Sequence, residues 1–333
     1  VSVGLAENLP WFERINIMKY YFPVCQLLPG DGVDDVKIES ISIVKRRWGV
    51  SFFDLATLAV GHDLKMPYEL MNVYFQSCNM EVCLEASSLD DAYIHYKCLR
   101  ALFYARGLSP YISPCVMSHS LNEIAGINTR DSKILKSDYE ELNEGITSKD
   151  TKVEIYPLDL VLQMHALSER ESHVLSKTML INSAWDSIKI LKIYRATPEI
   201  RNIIDGLIAA PKIEVLGQSL LHIWTILESL FPTVQTEVSF RLALYISCMV
   251  FGKSKELFYE VKKSYNVRSR VAHGSARGVS YEEWKRAWNI LRLVSGGIMH
   301  RGMVPTEEMI IDTIFSNDPF RALMYNKTKK ESE

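Results

Sequence analysis

The chain has 333 residues, 47% hydrophobic and 23% charged, which places it among ordinary globular proteins and gives length for about two domains. Its 38 Lys and Arg against 40 Asp and Glu exclude a whole-molecule basic field, so any RNA site has to be a local patch. No run approaches the roughly 18 apolar residues of a membrane span, so no membrane partner is expected.

In chain order, Val1 to Pro10 carries no basic region followed by an apolar stretch, and no export signal is expected there. Val36 to Val44 is β-rich, Asn72 to Gln76 and Met80 to Glu85 read as paired strands, and Tyr111 to Val116 reads as another. Between them, Leu89 to Arg106 sets Ala92, Tyr96, Leu99 and Phe103 at helical spacing, with Gly107 as the stop. Ser118 to Asp150 is polar and too long for a structureless loop, so part of it is expected to be helical before a last strand-like piece, Lys152 to Tyr156. Residues 1–156 thus read as an α+β domain, sensory or regulatory in role, with no phosphate loop or catalytic signature.

From Pro157 the helical period takes over. Helices are expected near Leu158–Ser168, Ser172–Tyr194, Pro198–Ile208, Glu214–Phe231, Glu237–Phe251, Lys255–Ala272, Ser280–Met299 and Thr306–Phe315, an all-α bundle over 157–320 followed by a charged, disordered tail, 321–333. The fourth carries the stripe Leu220, Trp224, Leu227 and Phe231, and the fifth is apolar on nearly every side from Phe240 to Phe251. The seventh carries Trp284, Trp288, Leu291, Ser295 and Ile298, a stripe made for a neighbouring helix or a second subunit. The fold class is therefore mixed, α+β followed by all-α.

The six cysteines are scattered, as in a reducing cytoplasm. Cys78 and Cys83 have no companion pair at zinc spacing and read as plain thiols, so neither metal nor cofactor is expected. His95, His165, His173 and His222 lack metal-like partners and read as structural. Lys45-Arg46-Arg47-Trp48 interleaves charge with an aromatic, and reads as a solvated strand end before it reads as a nucleic-acid contact.

The informative helix is the sixth. Leu257, Phe258, Val261 and Tyr265 build an apolar face whose next position is Arg268, and a guanidinium there needs a partner, a hydrated cleft or another chain. Glu228, at the edge of the stripe on the fourth helix, is the partner the sequence offers. His273 follows five residues later, in the last turn before Gly274. On a straight helix the two point about 140° apart. They converge only if the helix end unwinds at Gly274 or a second copy packs alongside. An arginine beside a histidine suits phosphate binding and proton transfer, and the ribose 2'-hydroxyl supplies an internal nucleophile that needs no metal. By spacing alone, an Arg and a His five apart are more often a surface ion pair or helix cap.

The stretch Leu257 to Gly274, an apolar helix followed by Tyr265, Arg268-Ser269, a short step and His273-Gly274, resembles the signature of HEPN domains, especially the Apea-like group. Trp224-Thr225-Ile226-Leu227-Glu228 and Ser239-Phe240-Arg241-Leu242-Ala243 resemble the preceding helices of that group, and the likeness spans about Glu214 to Met303. The resemblance implies a helical bundle that forms a homodimer through the motif helices, cleaving RNA, whether tRNA or mRNA, as a toxin or antiphage defence effector. It implies Arg268 on the scissile phosphate and His273 as general acid or base, with Ser269 where many relatives have Asn. Arg270 and Arg277 read as RNA-backbone contacts or solvated charges, Tyr265 as core more than catalytic, and a phage-derived or antitoxin regulator as a further partner. The alternative is a non-catalytic nucleotide- or RNA-binding and dimerisation module, favoured if Arg268 is tied to Glu228 away from any shared cleft.

Overall fold

The computed structural model describes residues 17–33, 35–62, 64–131, 146, 152–250, 254–274 and 278–315. The first half holds β1 (Met18–Cys25), β2 (Val36–Ile38), β3 (Ile41–Lys45), α1 (Phe52–Gly61), α2 (Tyr68–Phe75), β4 (Cys78–Ala86), α3 (Leu89–Ala105), β5 (Cys115–Met117), α4 (Leu121–Ile124), α5 (Ile127–Asp131) and β6 (Ile155–Pro157). The second holds α6 (Lys177–Ala196), α7 (Pro198–Ala209), α8 (Leu216–Ser229), α9 (Val238–Met249), α10 (Lys255–Ala272), α11 (Tyr281–Arg301) and α12 (Glu307–Phe315). The protein is thus mixed, and among the described residues no helix is long and apolar enough to cross a membrane.

The strands form one antiparallel sheet, in the order β2-β3-β4-β1-β5-β6. Strand alternation sends Tyr20, Phe22 and Val24 of β1, with Ile41, Ile43, Met80, Val82 and Leu84, to the face that α3 covers. Phe22 stacks on Tyr96 of α3 at 4.3 Å. The other face, toward β5 and β6, packs Cys115, Met117 and Ile155 under Leu55, Met71, Phe75, Leu121 and Ile124. Glu81, on that side of β4, is a buried polar exception: its carboxylate accepts from Ser120 Oγ at 2.6 Å and Leu121 N at 2.7 Å. Burial outweighs those bonds and pushes its pKa up to about 7.

α3 is where the halves meet. Its N-cap, Ser88, accepts from Asp91 N. Past the first turn it is buried on nearly every side, because the sheet lies on one flank and α6, α7 and α11 on the others. Tyr104 meets Trp288 edge to face at 5.7 Å, and Trp288 stacks on Trp284 at 5.8 Å, so one hydrophobic core runs from the sheet into the helices. The stripe Trp284, Trp288, Leu291, Ser295 and Ile298 is spent entirely inside this chain, against neighbouring helices rather than a second subunit.

A buried ionic clasp reinforces the joint. Asp159 lies between Arg100 Nη1 at 2.6 Å, Lys212 Nζ and Ser113 N at 3.0 Å, while Arg100 also donates to Tyr104 OH at 2.8 Å and to the Tyr111 carbonyl. Both Arg100 and Asp159 side chains are under 5% exposed. The neighbouring cations hold the Asp159 carboxyl below its ordinary range against the opposing effect of burial.

Four expectations are corrected. Asn72–Gln76 is not a strand: it belongs to α2, which starts after Pro67 and buries Met71, Tyr74 and Phe75 on one helical face. Leu158–Ser168 is not a helix, because its N–H groups bond across the fold: Leu158 to Pro114 O, His165 to Pro211 O and Leu167 to Ser109 Oγ. The strand expected over Tyr111–Val116 is reduced to Cys115–Met117 with an isolated bridge at Ile112. Finally, α9 is not buried all round, since Phe240 is about half exposed. The tail 321–333 lies outside the described residues.

Candidate functional site

α10 starts at Ser254, whose side chain accepts from Leu257 N, and runs unbroken to Ala272. It buries Val261, Ser264 and Val267. Trp224 of α8 fixes its rotation, donating from Nε1 to Ser264 Oγ at 3.2 Å and meeting the Tyr265 ring edge to face at 5.0 Å. An apolar contact sets the distance between α8 and α10, and a directional bond sets their angle.

That rotation puts Arg268 at the rim of the α8 contact. Its Nη2 donates to Glu228 Oε2 at 2.9 Å, and its guanidinium lies 5.6 Å from the centre of the Tyr265 ring. The pair is neither buried nor free, with side chains 28% and 27% exposed. Glu228 Oε1 is buried without a hydrogen-bond partner, leaving one lone-pair face of the carboxylate for a further donor. Burial, and then the Glu228 carboxylate, raises the pKa of the Tyr265 hydroxyl above its ordinary value. Tyr265 is partly buried against the core, as its place on the apolar face implies.

The helix does not unwind early. His273 is its C-cap, donating its N–H to Ser269 O at 3.1 Å, and Gly274 at φ 71° turns the chain away. The imidazole belongs to an exposed residue, whereas Arg268 faces α8. Unwinding at Gly274 therefore does not bring the two together, and within one chain they diverge. Ser269 is half-buried between them.

Arg270 is not a free surface cation. Its Nη2 donates to Glu283 Oε1 at 3.0 Å, and its Nε is buried with no acceptor. Glu283 also closes the capping box of α11, accepting from Ser280 N at 3.0 Å. Arg270 thus ties the end of the motif helix to the start of α11. Glu283 is absent from the residues the motif singles out, yet Ser280-x-x-Glu283 is a legible capping box and marks it. Arg277 lies outside the described residues.

The other histidines have structural surroundings or none of note. His95 is buried against Ser187 Oγ at 3.0 Å, with burial pulling its pKa down to about 4, and His165 Nε2 lies 2.8 Å from Ile213 O. All six cysteines are free thiols, and no cluster of three or more metal-binding side chains occurs among the described residues. At the basic cluster, Arg46 bonds to Asn122 and Lys45 to Gly30 O, so two of its three cations are engaged locally.

Comparison with protein-family models, with curated proteins and with solved structures finds no match for the chain.

Proposed function

We propose that the chain is a metal-independent endoribonuclease of HEPN type, a toxin or antiphage effector whose site is assembled from the motif helices of two copies. The observation that carries the reading is the state of Arg268: a partly exposed guanidinium, oriented by Glu228 and Tyr265, on the same unbroken helix as an exposed His273. One copy holds the two apart, so an active cleft needs the Arg268 of one helix to face the His273 of another. In such a cleft one His273 takes the proton of the ribose 2'-hydroxyl as its oxygen attacks the adjacent phosphorus. The bond to the 5'-oxygen breaks, and the His273 of the second copy protonates that leaving oxygen. A 2',3'-cyclic phosphate and a 5'-hydroxyl result. Arg268 neutralises the charge gathering on phosphorus. The sheet half, joined through α3, chooses the RNA or restrains the cleft.

One observation favours a second reading, a non-catalytic RNA-binding and dimerisation module: Arg268 is already paired with Glu228. A pair more than a quarter exposed is weak, about 0–1 kcal/mol, and a phosphate can displace it. The test is cleavage of total RNA in EDTA by wild type, Arg268→Ala and His273→Ala proteins of matched folding. Loss in both variants, expected at about 10²-fold or more, supports the nuclease. RNA binding by wild type without cleavage supports the module, and equal cleavage by all three overturns the site.

A further inference from the structure

α6 runs along the outside of the joint, packed on α3, α7 and the edge strand β2. Leu180, Ala184, Ser187, Ile190 and Tyr194 form its buried face at helical spacing. On the opposite face Trp185 is 45% exposed, the Lys189 side chain one turn on is 74% exposed, and Lys192 is exposed beyond it. An ideal helix sets these side chains within about 60° of one another around the axis and about 10 Å along it. The other tryptophans of the helical half, Trp224, Trp284 and Trp288, are sealed in the core.

The charge of α6 is lopsided. It carries Lys177, Lys189, Lys192 and Arg195 against one acid, Asp186, in a chain whose formal net charge is -2. Asp186 follows Trp185 and so leaves the helix about 100° away from it. Its carboxylate is held by Arg106 of α3, with Lys189 Nζ at a loose 3.6 Å. Arg195 is taken by Asp91 of α3 at 2.6 Å. Lys192 makes no ion pair among the described residues. What remains outward is an indole flanked by two ammonium groups, with no carboxylate of α6 on the same face. A membrane surface calls for an apolar stripe to insert, and the apolar stripe of α6 is spent on the core. A polyanion with a flat ring beside every charge matches both the indole and the lysines.

We propose that the outward face of α6 binds single-stranded nucleic acid, one base stacked on Trp185 and backbone phosphates on Lys189 and Lys192. The face uses nothing of the motif helix, so it stands whether or not the chain cuts RNA. If the chain does, α6 holds the strand outside the cleft in which it is cut.

The test is fluorescence anisotropy of a labelled oligodeoxyadenylate of about 12 nucleotides, a length within known single-strand sites, titrated with the full chain at several salt concentrations. The probe lacks the 2'-hydroxyl, so binding is read independently of cleavage. Trp185→Ala should weaken binding about fivefold or more, and Trp185→Phe, which keeps a stacking ring, should recover most of the loss. Lys189→Gln with Lys192→Gln should make log Kd less steep in log salt by about 1.4, at about 0.7 per phosphate contact. All of these side chains are exposed, so the variants should melt with wild type. No binding of the oligonucleotide to wild type, or the same affinity and salt slope in every variant, overturns the proposal. So does binding to vesicles of equal parts phosphatidylcholine and phosphatidylserine with none to the oligonucleotide.

Discussion

Two of the molecule's arginine–carboxylate pairs sit under different conditions. Arg100 and Asp159 are sealed in the joint between the halves, with every neighbour of Asp159 a donor and both side chains under 5% exposed. Arg268 and Glu228 lie at the rim of a helix contact, each more than a quarter exposed, with one carboxylate oxygen left over. The first pair has nothing to offer a ligand, and its loss leaves a charge stranded in the core. The second is cheap to open, and opening it exposes a guanidinium already aimed by Tyr265. The contrast separates an arginine sealed into the joint from one accessible at a rim.

The largest test of that contrast is Asp159→Ala. Removing one partner from a buried pair strands Arg100 and Lys212, and an unfolding free energy lower by about 3–5 kcal/mol is expected in urea melts. A change below about 1 kcal/mol would show that water reaches the joint.

Glu81 sharpens the comparison from between, being buried with hydrogen bonds but no ion pair among the described residues. Its folded pKa of about 7 lies above the ordinary 4.5, so the folded state holds its proton more tightly than the unfolded chain. Its contribution to stability is whole below about pH 4.5 and falls away as pH rises through about 7. Glu81→Gln should therefore flatten the stability difference between pH 5 and 8 by about 2–3 kcal/mol, at about 1.4 kcal/mol per pH unit. Parallel curves for wild type and variant would place the carboxyl in contact with solvent.

The smallest effects on stability belong to the motif. Arg268→Ala should cost about 1 kcal/mol or less and His273→Ala within about 0.5 kcal/mol, although both should lower the proposed cleavage by about 10²-fold or more. A loss of several kcal/mol at Arg268 would move it into the class of Arg100 and break the contrast.

The helical half was the more legible in the sequence. Its 3.6-residue stripes gave α10 its observed bounds and put α7, α8 and α11 within two residues at most ends, because one face of each helix is buried and the period survives. The sheet half was masked. β1 went unread because Pro23 sits in a central strand; it is tolerated where the β1–β5 pairing is interrupted between Tyr21 and Cys25. Val73, Tyr74 and Phe75 have strand propensity, yet they lie in α2, which buries Met71, Tyr74 and Phe75 by helical spacing and leaves Val73 exposed. At the candidate site, the Arg268 and Glu228 pair and the C-terminal place of His273 could be read from spacing. The tie from Arg270 to Glu283 was not read, since it joins two helices whose approach is set by tertiary packing.

The position of α3 has a consequence for how the chain could be divided. By sequence it belongs with the strands, yet Tyr104 supports Trp288 and Arg100 supports Asp159, so a fragment beginning at residue 157 would carry a groove where α3 lay and an aspartate without its arginine. The sheet and the helices are geared together by a common shaft rather than tethered by a linker. A ligand that shifts the sheet would turn the helix against which α11 is packed, and the first turn of α11 carries the glutamate that holds the end of the motif helix.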